Sequence, residues 1–190
     1  MKDYFNIFKR NIWLFRFFIV SLQKIKKEMK KLNIALVAHD SRKKELVEWC
    51  THNLEWLKNH NLYATGTTGK LIEDINTKWV PNDMYTVRKD GPLVDKVNKL
   101  LSGPLGGDSQ VGAMLAEGKL DVLIFFCDNL ITQGHHNDVH ALTRLAALYN
   151  IAFATNRTTA DMIVTSPLIT DETYVMEVPD VIERYKNRNV

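Results

Sequence analysis

The chain has 190 residues, of which 45% are hydrophobic and 25% charged, a composition typical of a globular protein and not of a disordered or fibrous one. This length suits one substantial α/β domain and is too short for two. Nine Lys and Arg against two acids give the first 32 residues a charge of +7, so the remainder carries −4 of the net +3. The remainder therefore has no basic footprint for nucleic acid.

Residues 1–31 form an N-terminal extension whose apolar residues recur at helical spacing. Arg16 interrupts this pattern, and the stretch is too short to span a bilayer. Three interpretations stay open: a basic amphipathic helix for a membrane surface or partner, a degenerate signal segment, or an extension upstream of an ordinary start at Met29. The pattern "MKKLNIALVAHD" favours the last, so membrane contact through the extension is not favoured.

Beyond the extension, apolar runs of strand length alternate with helical patterns. In chain order the sequence predicts a strand at 33–38, a helix over 42–60, a strand at 61–65, a short helix after 66–69, a strand at 97–101, a helix over 109–118, a strand at 121–126, a helix over 138–150, a strand at 151–155 and a helix over 158–166. Residues 76–98 break the rhythm and are predicted to be an inserted surface loop. Repeated β-α units predict a three-layer, Rossmann-like α/β domain over residues 32–190, with a mainly parallel β-sheet flanked by helices.

Polar residues follow each of the first four predicted strands. They lie in "HD" after the first strand, "TGTTG" after the second, "SGPLGGD" after the third and "CDN…HHND" after the fourth. In open parallel sheets, ligands bind outside the carboxyl ends of the strands. The sequence therefore predicts one functional site at that edge.

The stretch "ATGTTGK" has the features of an anion-binding turn. Gly66 and Gly69 allow close backbone approach, a helix supplies N–H groups, and hydroxyls come from Thr65, Thr67 and Thr68. The glycine spacing is too short for a Walker A loop. Taken alone, an ordinary β-α turn with capping threonines fits equally well. Ser102 and the Gly103 amide add donors, so a phosphate could be held between two loops.

Asp108 sits at the end of a glycine-rich turn, and two roles for it stay open. It could cap the following helix and interact favourably with the helix dipole. The surrounding glycines instead favour a carboxylate that removes a carbon-bound proton from a phosphorylated substrate.

A zinc site using His136 and His140 is the alternative chemistry at this edge, because the two residues lie one helical turn apart. No ligand spacing matches a known zinc pattern, and Cys50 and Cys127 do not join in, so no metal is predicted. No nucleophilic Ser or Cys arrangement is present either. Imidazoles and carboxylates around a phosphate site point to enolisation.

Six motifs in this order resemble the methylglyoxal synthase family: "IALVAHD", "YATGTTG", "LSGPLGGDSQVGA", "DVLIFFCD", "HHNDVHAL" and "ATNRTTADMIV". The resemblance covers residues 32–190 apart from the insertion. It implies a cytoplasmic homohexameric lyase that converts dihydroxyacetone phosphate to methylglyoxal and inorganic phosphate. It also implies a glycolytic bypass that relieves phosphate starvation, inhibition by phosphate, and no metal or organic cofactor.

The resemblance also assigns roles to residues. Asp108 falls on the catalytic base. The phosphate-binding positions fall on Thr65, Thr67, Thr68, Ser102 and Gly103, with Lys43 close by. The remaining active-site positions fall on His39, Asp40, Asp128, His135 and Asp138, of which His39 and His135 also contact substrate. A C-terminal arginine that helps to bind phosphate is Arg188, with Arg184 as the alternative. Gly134 and His136 depart from the family's more usual proline and aspartate.

The alternative function is a non-catalytic module of the same fold that binds phosphate or another effector, as in carbamoyl phosphate synthetase. Such a module could keep the phosphate pocket without needing Asp108, His135 and Asp138 together. Their joint presence therefore favours the enzyme.

Overall fold

The computed structural model describes residues 29–78, 97–128, 130 and 136–188, without the side chains of 76–78 and 136–138. The chain divides into two units, Met1–Lys30 and Lys31–Val190, and every element below belongs to the second. The predictions for residues 1–28 and for His135 lie outside the described residues. No helix among the described residues is long and apolar enough to cross a membrane.

A five-stranded sheet forms the centre of the second unit. Its strands are β1 (Asn33–Ala38), β2 (Asn61–Thr65), β3 (Val97–Leu100), β4 (Val122–Phe126) and β5 (Ala152–Ala154). Their order is β3-β2-β1-β4-β5, and all four neighbouring pairs are parallel. In the central register Leu36 of β1 lies between Ala64 of β2 and Ile124 of β4. The predicted parallel sheet is confirmed.

Seven α-helices accompany the sheet within the described ranges. They are α1 (Lys43–His52), α2 (Leu54–Leu57), α3 (Gly66–Lys78), α4 (Gly107–Ala116), α5 (His136–Leu148), α6 (Arg157–Thr165) and α7 (Asp180–Lys186). Two 3-10 turns, Asp40–Arg42 and Gly103–Leu105, follow β1 and β3. The last helix, α7, is absent from the sequence predictions.

Two hydrophobic clusters show the three layers. Along β1, Ile34 and Leu36 pack in one cluster, while Ala35 and Val37 pack in the other, because successive side chains of a strand point to opposite faces. The first cluster contains residues of α1, α2, α3 and α6, and the second contains residues of α4 and α5. The sheet therefore lies between two helical layers, as predicted.

The predicted helix over residues 42–60 is wrong in one respect, since it breaks at Asn53. The Asn53 side chain donates from Nδ2 to the carbonyl oxygen of Trp49 at 3.0 Å. Asparagine competes in this way with backbone hydrogen bonding, which favours helix ends. A 3-10 turn and two separate helices, α1 and α2, replace the single helix.

The predicted insertion at residues 76–98 is shorter than the sequence indicates. Helix α3 continues to Lys78, and β3 begins at Val97. Residues 79–96, the remainder of this segment, lie outside the described residues, so its loop character stays a prediction.

Candidate active site

A cavity of about 270 Å³ opens at the carboxyl ends of β1, β2, β3 and β4. After β3 the chain returns to place β4 on the other side of β1, and such a reversal of strand order is where open α/β sheets bind ligands. The predicted site residues that line this cavity are His39, Asp40, Lys43, Thr65, Thr67, Ser102, Gly103 and Asp108. The structure thus brings together predicted residues that follow β1, β2 and β3, and their roles stay predictions.

Gly107, the first residue of α4, is packed too tightly for a larger residue. A β-carbon at Gly107 would lie 2.1 Å from the carbonyl oxygen of Leu101, which no side chain could tolerate. Gln110 holds the same strand end, since its Oε1 accepts from the Leu101 N–H at 2.8 Å. Residue Gly106, at φ 98°, occupies the N-cap position of α4. Asp108 therefore lies inside the first turn and is not the helix cap.

Two loops meet at the Asp108 side of the cavity and form a concave donor surface. A β-carbon at Gly66 would lie 3.2 Å from the Ser102 nitrogen, and the Gly66 N–H donates to the Leu101 carbonyl at 3.1 Å. The N-terminus of α3 is thus packed directly against the turn after β3. The first N–H groups of a helix lack intrahelical acceptors and favour anions. Because the Gly66 N–H already donates to Leu101, the site offers the next N–H groups of α3 beside Ser102 and Gly103.

Lys43 places a cation at this donor surface. Its Nζ donates to Thr67 Oγ1 at 2.7 Å and to Asp40 Oδ1 at 2.5 Å. The hydrogen bond and charge of Lys43 hold the pKa of Asp40 below its usual value. Asp40 therefore stays anionic near neutral pH and is poorly suited to donate a proton. Its contact is with the ammonium group, which it holds beside α3.

His39 is fixed in one tautomer by the backbone. The Asp128 N–H donates to His39 Nδ1 at 2.8 Å, so the hydrogen of the neutral ring is on Nε2. The ring meets Phe125 edge-on, with centroids 5.2 Å apart. His39 lines the cavity and can donate a hydrogen bond there from Nε2.

The Asp128 side chain joins two loops. Its Oδ2 accepts from Ser41 Oγ at 2.5 Å, and its Oδ1 accepts from the Leu130 N–H at 3.0 Å. Ser41 is in the 3-10 turn after β1, so this bond links the ends of β1 and β4. Sequence reasoning missed Ser41, although its position two residues after His39 at a strand end was an available signal.

Within the described part of the chain, three predicted residues do not line the cavity: Asp128, Thr68 and Arg188. Thr68 is 1% exposed, and its hydroxyl is enclosed without a hydrogen-bond partner. The Arg188 guanidinium stacks on the Tyr185 ring with its Cζ 3.7 Å from the centroid. The side chain of Asp138 lies outside the described residues. Roles for Thr68, Arg188 and Asp138 stay predictions.

Cys127 directly follows β4 but does not serve as a nucleophile in its present environment. Burial raises the pKa of its thiol to about 11, which keeps the group protonated at neutral pH. Among the side chains that the structure describes, no three His, Cys, Asp or Glu groups converge on a metal position. The described cavity therefore presents carboxylate, imidazole, hydroxyl, ammonium and amide groups for chemistry.

Comparisons with known proteins agree with this geometry. A family model described as the MGS-like domain matches residues 45–155. The methylglyoxal synthase of Maridesulfovibrio salexigens is 51% identical over 142 residues, which are 74% of this chain and 87% of that protein. The methylglyoxal synthase of Proteus mirabilis is 45% identical over 156 residues, 82% of this chain and 91% of that protein.

A solved structure extends the likeness to three dimensions. The crystal structure of methylglyoxal synthase from Elizabethkingia anophelis superposes with a TM-score of 0.69 at 40% identity, over 84% of this chain and 93% of that chain. Sequence identity and fold agree over most of both chains. The chain belongs to the methylglyoxal synthase family.

Proposed function

We propose that this chain is a lyase that converts dihydroxyacetone phosphate to methylglyoxal and inorganic phosphate, with Asp108 as the base. The observation that carries the proposal is the position of Asp108 beside Gly103, in the cavity that also holds the donor surface of α3 and Ser102. A base and an anion site share one cavity. The relatives named methylglyoxal synthase support an enzyme over a non-catalytic effector-binding module.

The first step is proton removal. Asp108 takes a proton from the hydroxyl-bearing carbon next to the ketone, and the bonding pair forms a carbon–carbon double bond as charge moves to the ketone oxygen. His39 donates from Nε2 to that oxygen, where negative charge grows. His135 supplies a second donor in this proposal. Asp108 ends the step protonated, and the substrate is an enediolate.

The second step is loss of phosphate. The electron pair of the enediolate shifts to form a double bond to the phosphate-bearing carbon, whose C–O bond breaks with both electrons leaving on phosphate. The hydroxyl of the first carbon gives its proton to the departing phosphate and becomes the aldehyde. The resulting enolate takes a proton from solvent at its terminal carbon to give methylglyoxal, and Asp108 returns its proton to solvent. An enzyme that imposes this outcome must hold the breaking C–O bond near perpendicular to the enediolate plane.

The donor surface provides that hold. Phosphate binds the N–H groups of α3 that follow Gly66, the Ser102 hydroxyl and the Gly103 amide, while Lys43 balances its charge. Thr65 and Thr67 complete this phosphate site. Asp40 acts through Lys43, because its carboxylate accepts from the ammonium group. Asp128 acts through His39, because its backbone N–H donates to the ring. Asp138, Thr68 and Arg188 are assigned to the site from the sequence and the resemblance, without a described contact in the cavity.

Finer properties follow from the family and belong to the same proposal. The enzyme works as a homohexamer in the cytoplasm, is inhibited by inorganic phosphate, and provides a glycolytic bypass. Residues 32–190 form the catalytic domain, and residues 1–31 are an extension that this activity does not require.

Turnover tests the proposal directly. The purified full chain, incubated with dihydroxyacetone phosphate and no added metal or cofactor, should release inorganic phosphate and methylglyoxal in equal amounts. Binding of phosphate without any turnover would instead support the effector-binding module. Phosphate release without methylglyoxal would indicate simple hydrolysis and contradict the elimination.

A further inference from the structure

We infer that Ser41 is a positioning residue for His39, acting through Asp128. This inference rests on the proposed function only for its effect on turnover. Ser41 Oγ donates to Asp128 Oδ2 at 2.5 Å, and the backbone N–H of Asp128 donates to His39 Nδ1 at 2.8 Å. Ser41 and His39, two residues apart after β1, thus hold the side chain and the backbone of the same aspartate.

The two bonds have different effects on His39. The backbone bond fixes its tautomer, because a ring nitrogen that accepts from an N–H cannot carry a hydrogen itself. The Ser41 bond fixes the position of the peptide that makes this contact, since the Asp128 carboxylate is attached to it. The Leu130 N–H, at 3.0 Å from Oδ1, restrains Asp128 within its own loop only. The Ser41 bond crosses from the end of β4 to the end of β1.

The location of Ser41 separates this role from folding. Ser41 is exposed, and its hydroxyl contributes to no hydrophobic cluster. A single exposed hydrogen bond contributes little to global stability. Loss of this hydroxyl should therefore leave the fold intact and allow the Asp128 peptide to move away from the His39 ring. The ring then exchanges between tautomers, and its Nε2 donor is present for only part of the time.

The test combines turnover with a spectroscopic measurement on the full chain. In Ser41→Ala, kcat for dihydroxyacetone phosphate should fall about threefold to tenfold, the usual net effect of losing one hydrogen bond. KM should change by less than about twofold, because the phosphate contacts are intact. The ring ¹⁵N signals of His39, assigned by their loss in His39→Asn, should move from a single Nε2–H tautomer towards a mixture.

Two further variants control the experiment. Ser41→Thr keeps the hydroxyl and should restore both kcat and the ring signals. Ser166→Ala removes a hydroxyl that accepts from the Leu168 N–H at 3.3 Å, outside the cavity lining, and should change neither.

The outcomes are separable. Unchanged ring signals in Ser41→Ala overturn the inference, whatever happens to kcat. Altered ring signals together with unchanged kcat in an active enzyme would support the positioning of His39 by Ser41 and overturn the predicted effect of the tautomer on turnover. If the parent chain itself shows no turnover, the proposed function fails, while the ring signals of Ser41→Ala still decide whether Ser41 positions His39.

Discussion

Gly103 and the Asp108 carboxylate are in such close contact that a β-carbon at position 103 would lie 3.0 Å from Asp108 Oδ2 and 3.4 Å from Oδ1. The carboxylate thus occupies the space that a side chain would take. The glycine at position 103 therefore lets the carboxylate that we propose as the base lie against the backbone that we propose binds phosphate.

We expect Gly103→Ala to displace the carboxylate and lower kcat by at least about tenfold, because small misplacements of a catalytic group are costly. The thermal midpoint should change little, since the atoms that the new β-carbon meets belong to the Asp108 side chain, which lines the cavity and can move into it. Gly118→Ala is the matched control. Gly118 has φ 68° with nothing near its missing β-carbon, so alanine there should lower stability by about 1 kcal/mol and leave kcat unchanged. Equal kcat values for Gly103→Ala and Gly118→Ala would show that the contact between Gly103 and Asp108 does not affect turnover.

Asp108→Asn keeps the shape of the side chain and removes its basicity. We expect kcat to fall by about 10²–10⁴-fold or more, the usual effect of losing a general base. Inorganic phosphate should still bind, as measured by calorimetric titration, because the donors of α3 and Ser102 are untouched. Near-normal turnover would leave Asp108 as an acidic residue in the first turn of α4 and would remove it from the mechanism.

The sequence predicted the sheet and its functional edge well, for physical reasons. The run "DVLIFF" is apolar on both faces, and β4 is indeed buried on both faces between the two helical layers. Polar residues after each strand could be assigned to one edge because parallel strands all end there. Such patterns involve residues that are close together in the chain, so a single sequence is enough to detect them.

Other features depend on contacts that the sequence pattern does not contain. Ser41 and Asp128 are 87 positions apart and meet only through the register of β1 against β4. Thr67 and Thr68 are adjacent and chemically alike, yet the helical turn points Thr67 at Lys43 and encloses Thr68. The start of α3 decides which of these two hydroxyls reaches the cavity. The helix begins at Gly66, whereas the sequence predicted it to begin after Gly69.

Thr67 should contribute to binding of both substrate and inorganic phosphate. Its hydroxyl holds Lys43 at 2.7 Å beside the N-terminus of α3. In Thr67→Val we expect KM for dihydroxyacetone phosphate and the inhibition constant of phosphate to rise together, by about tenfold, the effect of one hydrogen bond to a charged group. Steady-state rates at several phosphate concentrations measure both constants.

Thr165→Val is the control for that substitution, since the Thr165 hydroxyl donates to the Asp161 carbonyl on α6, outside the cavity lining. It should leave both constants unchanged. A rise in KM without a change in phosphate inhibition would mean that the two anions do not share the loop after β2.

His60 should make the protein less stable as the pH falls below neutrality. Its ring is 6% exposed, Nδ1 accepts from the Leu32 N–H at 3.3 Å, and Nε2 is enclosed without a partner. Burial lowers the pKa of His60 from 6.5 to about 4 in the folded protein. Between these two values His60 is protonated in the unfolded chain and neutral in the folded protein. The free energy of unfolding therefore decreases as the pH falls from 6.5 towards 4. The loss is at most about 3 kcal/mol for this shift.

His60→Gln isolates this contribution, because glutamine stays neutral while its carbonyl oxygen can still accept from Leu32. We expect the free energy of unfolding in urea to fall less steeply for the variant than for the parent between about pH 7 and pH 4.5. Contributions of other titrating groups are common to both proteins and cancel in the difference. Parallel curves for parent and variant would show that His60 is not protonated on unfolding in this range. A variant that loses more stability than the parent on acidification would reverse the predicted sign.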